Sequence, residues 1–135
     1  MADCLFCKII AGEIPAHRVY EDNATVAFLD IGPVTPGHTL VVPRVHHTSL
    51  SETPDDVIRA VYASVKKVAA AAMAATGATA FNAQVNNGAA AGQLVFHTHV
   101  HVIPRRADDG LVHWPHQKPS PEVLAALAEK IRANV

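Results

Sequence analysis

Three histidines alternate in Phe96-His97-Thr98-His99-Val100-His101-Val102-Ile103-Pro104. Side chains alternate faces along a strand, so a strand over 95–104 would put His97, His99 and His101 on one face, with neighbouring Cα atoms ~6–7 Å apart. Imidazoles in a row are costly to bury without partners. Two chemistries suit them. Neutral imidazoles ligate metals, and a His-x-His pair on a strand can converge on zinc. Imidazole is also a nucleophile near neutral pH, and its attack on phosphorus leaves a phospho-histidine that water cleaves. The preceding stretch, Asn86-Asn87-Gly88-x-x-x-Gly92-Gln93, offers unobstructed backbone N–H groups and side-chain amides that can cradle anionic oxygens. Cys4-x-x-Cys7 adds a possible metal or redox pair, although a thioredoxin-like site needs a strand before it and only three residues precede Cys4.

Elements must position these groups. The chain has 135 residues, half of them apolar and 17% charged, with a net charge of -1. That length is expected to form one domain burying roughly two-thirds of its unfolded surface. Near-neutral charge argues against nucleic-acid or anionic-lipid binding. Two cysteines make no disulfide framework. No long apolar run marks a signal peptide or a membrane span, so a cytoplasmic protein is expected.

Residues 4–11 suit one or two helical turns. Strands are expected over 17–21, 25–30, 38–43, 79–85 and 95–104, from their β-branched and aromatic content. Residues 32–37 hold two prolines and two glycines and must be a loop. A helix is expected after Thr53 as cap and Pro54 at the first helical position. Val57, Val61, Val65 and Val68 mark its buried face, and Gly77 its end. Ser120-Pro121-Glu122 opens a last helix, with Val123, Leu124, Leu127 and Ile131 on one face. Strands joined by short loops, with segregated helices, read as α+β with an antiparallel sheet.

The spacing Gly92-Gln93-x-x-x-His97-x-His99-x-His101-x-Ile103 resembles the motif of the histidine-triad (HIT) family. Similarity extends to Cys4-x-Phe6-Cys7-Lys8-Ile9-Ile10-x-x-Glu13-Ile14-Pro15, to Phe28-Leu29-Asp30-Ile31 and to Pro36-Gly37-His38-Thr39-Leu40-Val41-Val42-Pro43, covering about residues 4–105. The resemblance implies a five-stranded antiparallel meander, a homodimer, and hydrolysis or transfer at the α-phosphate of nucleotidyl substrates. These include phosphoramidates and dinucleoside polyphosphates, with a purine nucleotide expected. His99 would be the nucleophile, His101 a phosphate contact, His97 an orienting group and His38 a supporting histidine. Asn86, Gly92 and Gln93 would meet the phosphate or leaving group, and Asp30 the ribose hydroxyls. Phe6, Ile9, Ile14, Phe28 and Ile31 would flank the base.

Bacterial members with the same cysteine pair resemble this chain in a structural zinc site, which maps to Cys4, Cys7, His46 and His97. No organic cofactor is implied. Leu94 departs from eukaryotic relatives, which carry a hydroxyl there to protonate the leaving group. That departure favours a second reading, a nucleotide-binding interaction protein with vestigial hydrolysis. His113-Trp114-Pro115 resembles a carboxy-terminal piece of Hint-type members that reaches toward the partner subunit's site; the bland alternative is a tryptophan anchoring the tail. Residues 32–39 nearly fit a phosphate-binding Walker loop, but His38 replaces its lysine and a strand follows.

Overall fold

The computed structural model describes residues 3–135. Its elements run α1 (Leu5–Ile10), β1 (Arg18–Glu21), β2 (Thr25–Leu29), β3 (Thr39–Pro43), α2 (Asp55–Thr76), β4 (Ala80–Gln84), β5 (Val100–Arg105) and α3 (Pro121–Asn134). Single 3-10 turns occupy Leu50–Glu52 and Ala89–Ala91. The five strands form one antiparallel sheet, as expected, in the order β1-β2-β3-β5-β4. The order is sequential only through β3, because β5 inserts between β3 and the edge strand β4.

β2 and β3 read as continuous apolar runs because both sheet faces are covered. On one face Ala27, Val41, Val100 and Val102 pack against Val61, Val65, Val68 and Ala69 of α2. On the other, Val26, Phe28, Leu40 and Val42 pack against Phe6 and Ile9 of α1. The valines of α2 recur at helical spacing, and each such burial contributes ~1.5–3 kcal/mol. Along β5, even-numbered residues enter the α2 core, so His101 faces the α1 side of the sheet.

Two local expectations are corrected. The last strand is shorter than 95–104 and begins at Val100. Its pairing with β3 stops at Val41↔Val100, so residues 95–99 have no ladder to hold them extended. The cap of α2 is Pro54 without a side-chain bond, and Thr53 turns elsewhere. Gly77 does end that helix, with φ +71°. Ser120 caps α3 by accepting from the Val123 N–H. No residue of α3 is buried. None of the described helices is long and apolar enough to cross a membrane.

Gly37 places β3 against α2. Its φ is +87°, and an added Cβ would stand 2.8 Å from Thr76 Cγ2 and 3.3 Å from Pro104 Cγ. Gly37→Ala is therefore expected to lower stability by ~1–3 kcal/mol, read as an earlier urea midpoint at unchanged slope.

Candidate functional site

The three alternating histidines all lie on the α1 side of the sheet, but in different environments. His97 is fully buried and turns toward the amino-terminal helix. Its Nε2–H donates to the Pro43 carbonyl at 2.8 Å. That bond leaves the Nδ1 lone pair directed at Cys4 Sγ (3.5 Å), Cys7 Sγ (3.6 Å) and His46 Nδ1 (3.3 Å). Cys7 Sγ and His46 Nδ1 are 3.4 Å apart, and all four ligand atoms lie within 4.8 Å of one another. A tetrahedral ion with usual zinc bond lengths sets S···N edges of about 3.6 Å and an N···N edge of about 3.3 Å. The four donors fit that figure, so the group can hold a metal. Burial, then the neighbouring Cys4, pushes the Cys7 thiol up, a penalty that a bound dication reverses.

His99 belongs to a different environment. Its Nδ1–H donates to the His97 carbonyl at 2.7 Å. No hydrogen bond engages Nε2. Because no buried side-chain nitrogen or oxygen among the described residues lacks a partner, Nε2 opens on the cavity that His99 lines. The Phe6 ring lies between the two histidines, with centroids 6.0 Å from His97 and 5.0 Å from His99.

His101 and His38 form a short relay. The Val34 N–H donates to His38 Nδ1 at 3.1 Å, which fixes the His38 proton on Nε2. His38 Nε2–H donates to His101 Nδ1 at 2.9 Å, which in turn fixes the His101 proton on its own Nε2. Asp30 Oδ2 lies 3.7 Å from His38 Nε2. Asp30, His38 and His101 are close enough to be read as a metal group. His38 Nε2 and His101 Nδ1 already share a proton, however, so this pair is a hydrogen-bonded one. The His101 ring sits 4.9 Å from that of His99.

Burial is the leading cause that lowers the pKa of all four residues, His38, His97, His99 and His101. His97 and His101 fall to about 4, with neighbouring histidines adding to the effect. Near neutral pH the imidazoles are uncharged, the form that ligates metal or attacks phosphorus.

A cavity of about 450 Å³ opens beside His99. Phe6, Ile9, Ile14, Phe28, Asp30, Ile31, Asn86 and Gly92 all line it, with His101. Ile31 is 93% exposed and Leu94, also at the rim, 89%. Asp30 accepts from the Gly32 N–H through Oδ1. Gln93 is the exception. It is buried, its Oε1 accepts from the Gly88 N–H, and its Nε2 donates to the Thr48 and Val95 carbonyls. Both amide hydrogens are used here, and Gln93 frames the glycine loop. Trp114 is 75% exposed, which corrects the view of it as an anchor in the core. It lines a second cavity of about 610 Å³ with His38, His101, Gln84 and His113.

Some contributors were missed by sequence reasoning. The His47 carbonyl accepts from the Thr98 N–H at 2.7 Å, and Thr53 binds Thr98. His17 lines the first cavity. Main-chain acceptors leave no residue-type signal, and Thr53 was legible only as a helix cap.

With this geometry in view, the comparison with known proteins is decisive. The HIT domain profile matches residues 11–108. The chain belongs to the HIT domain family. A HIT relative, adenylylsulfatase HINT3 of Arabidopsis thaliana, is 49% identical over 109 residues, covering 81% of this chain. The match spans only 55% of that relative's length. Adenosine 5'-monophosphoramidase hnt1 of Schizosaccharomyces pombe is 40% identical over 134 residues, 98% of each chain. The crystal structure of a Zn-bound histidine triad family protein from Mycobacterium smegmatis superposes with a TM-score of 0.79 at 40% identity, covering 98% of each chain.

The depressed histidines set a pH dependence. An unfolded imidazole takes up its proton near pH 6.5, whereas folded His97 and His101 refuse it until about pH 4. The unfolded chain therefore binds more protons in that window. Stability is expected to be full above about pH 6.5 and to fall as pH drops toward 4, read from urea unfolding midpoints across the window.

Proposed function

We propose that this HIT protein is a nucleotide-binding hydrolase or transferase that acts at the α-phosphate through a covalent nucleotidyl-His99 intermediate. The supporting observation is the tautomer of His99: Nδ1–H is held at 2.7 Å by the His97 carbonyl, so the lone pair sits on the Nε2 that faces the cavity. The names of the relatives HINT3 and hnt1 point to adenylyl compounds as the substrate class.

The base enters the slot between Phe6, Ile9, Ile14, Phe28 and Ile31, and Asp30 accepts from the ribose hydroxyls. The α-phosphate then lies between His99 and the glycine loop, with Asn86 and the Gly92 backbone beside it. His99 Nε2 attacks phosphorus, forming an N–P bond, and the bond to the leaving group breaks with its electron pair. The His97 carbonyl stabilises the charge that develops on the His99 ring. His101 donates its Nε2–H to a phosphate oxygen and is kept in that tautomer by His38. Leu94 has no proton to give, so water protonates the leaving group. The hydroxide that remains attacks the nucleotidyl-His99, the N–P bond breaks, and the nucleoside monophosphate leaves.

We assign Cys4, Cys7, His46 and His97 to a zinc ion, by their fit to a tetrahedron and the Zn-bound relative. Four protein ligands leave no open position, so zinc there supplies a structural cross-link between α1 and the catalytic segment. A homodimer is supported by β4, an edge strand exposed along its length. The free thiols accord with a reducing, cytoplasmic setting.

With adenosine 5'-phosphoramidate, adenylyl sulfate and dinucleoside polyphosphates as a panel, His99→Ala is expected to lose activity by at least ~10³-fold while binding AMP. Rapid quenching with intact mass should find an acid-labile adduct on His99. Undiminished turnover in the variant would refute the mechanism. Negligible turnover of the whole panel with tight AMP binding would select the interaction-protein reading that Leu94 favours.

The metal assignment has its own readout. Metal analysis is expected to give about one zinc per chain, lost in Cys7→Ser together with a lower melting temperature.

A further inference from the structure

The segment from His46 to Thr53 contributes to the metal group, the glycine loop and the His97–His99 stretch. His46 belongs to the metal group. The His47 carbonyl accepts from the Thr98 N–H and, at 3.1 Å, from the Thr98 hydroxyl. The Thr48 carbonyl receives the Gln93 amide, and the Leu50 N–H donates to Asn87 Oδ1 at 2.8 Å, so the glycine loop hangs from the same turn. The turn closes on Thr53, whose hydroxyl donates to the Ser49 carbonyl and accepts at 2.8 Å from the Thr98 hydroxyl, whose one proton is shared with the His47 carbonyl. Thr53 and Thr98 are both buried.

Thr98 stands between the metal-group histidine and the nucleophile. Residues 95–99 lie outside the β-ladder, so no strand partner sets their backbone. What sets it is His97 on one side and Thr98 on the other. The His99 Nδ1–H is aimed by the His97 carbonyl, and that carbonyl is one end of the peptide whose N–H, at Thr98, binds His47. A peptide is planar, so fixing the N–H fixes the carbonyl.

We propose that Thr53 and Thr98 are positioning residues for nucleotidyl transfer, their buried hydroxyl pair locking the His97–Thr98 peptide that aims His99 at the phosphate. The proposal rests on the nucleotidyl-His99 reading. Each hydroxyl has a carbonyl partner besides the other hydroxyl, so removing one leaves no orphan and the variants should fold.

The test uses the full chain with adenosine 5'-phosphoramidate. Thr98→Val is expected to lower kcat about 10- to 100-fold, the scale of a small misplacement of a reacting group, with KM and AMP affinity within about threefold. Thr98→Ser keeps the hydroxyl and should return kcat to within about threefold of wild type. Thr53→Val should reproduce the kcat loss, and the double variant should be no slower than either single one, because both remove one interaction. An unchanged kcat in Thr98→Val, or a serine variant as slow as the valine variant, overturns the proposal. So does a loss carried entirely by KM. If wild type consumes no phosphoramidate, the nucleotidyl-transfer reading falls, and ring-nitrogen NMR of His99 decides the positioning claim. A single Nδ1–H tautomer in wild type that becomes mixed in Thr98→Val upholds it. The same tautomer in both overturns it.

Discussion

Both nitrogens and the carbonyl of His97 are engaged, and the site is built around that fact. Nε2–H reaches back to the end of β3 at Pro43, while Nδ1 joins Cys4, Cys7 and His46. The carbonyl takes the Nδ1–H of His99. One residue therefore ties the sheet, the amino-terminal helix and the His99 imidazole together. Its ring is fully buried, so the charged form is disfavoured near neutral pH and each polar atom must find a partner. That requirement makes the geometry discrete: a ring flip would break the bond to Pro43 and remove the lone pair from the metal group.

The same logic of neutral, partnered imidazoles extends along β5. The Val34 backbone N–H decides which nitrogen of His38 carries the proton, His38 decides it for His101, and the His97 carbonyl decides it for His99. Burial keeps the group uncharged, and backbone groups assign its tautomers. A row of imidazoles in water would instead sample both tautomers and titrate near its ordinary pKa. The protein offsets the desolvation of these rings with hydrogen bonds, and the product is one set of donors and lone pairs held in register with a cavity.

Much of this was legible in residue order. The alternation over 97–101 marked the histidines, and the tract from Cys4 to Pro15 with Phe28, Asp30 and Ile31 marked the apolar slot. Leu5, Phe6, Ile9, Ile14, Pro15, Phe28, Asp30 and Ile31 line one cavity, and Ile10 packs against its core. The strand over 95–104 was drawn too long because alternation was read as evidence of pairing. β3 runs on to Pro43 beside β2, but residues 95–99 leave its other edge, and the first two histidines are held by side chains and single carbonyls. Gln93 was legible as an amide beside the glycine loop, but not the bonds by which it holds that loop to Thr48. Thr53 looked like a helix cap because threonine preceded proline, but its hydroxyl found Thr98 instead.

Sequence by itself determined the periodicities: which segments form strands, where α2 begins and ends to within a residue, and which residue types cluster near the histidines. These follow from local geometry, because the repeat of a strand or helix fixes which side chains share a face. Tertiary structure decided that His97 and His99 lie in different environments, that His46 meets Cys7, and that the 46–53 segment anchors both the glycine loop and the His97–Thr98 peptide. Those outcomes depend on backbone carbonyls and N–H groups brought together from distant parts of the chain. Every residue type but proline carries the same two groups, so no pattern of side chains could announce which pair would meet.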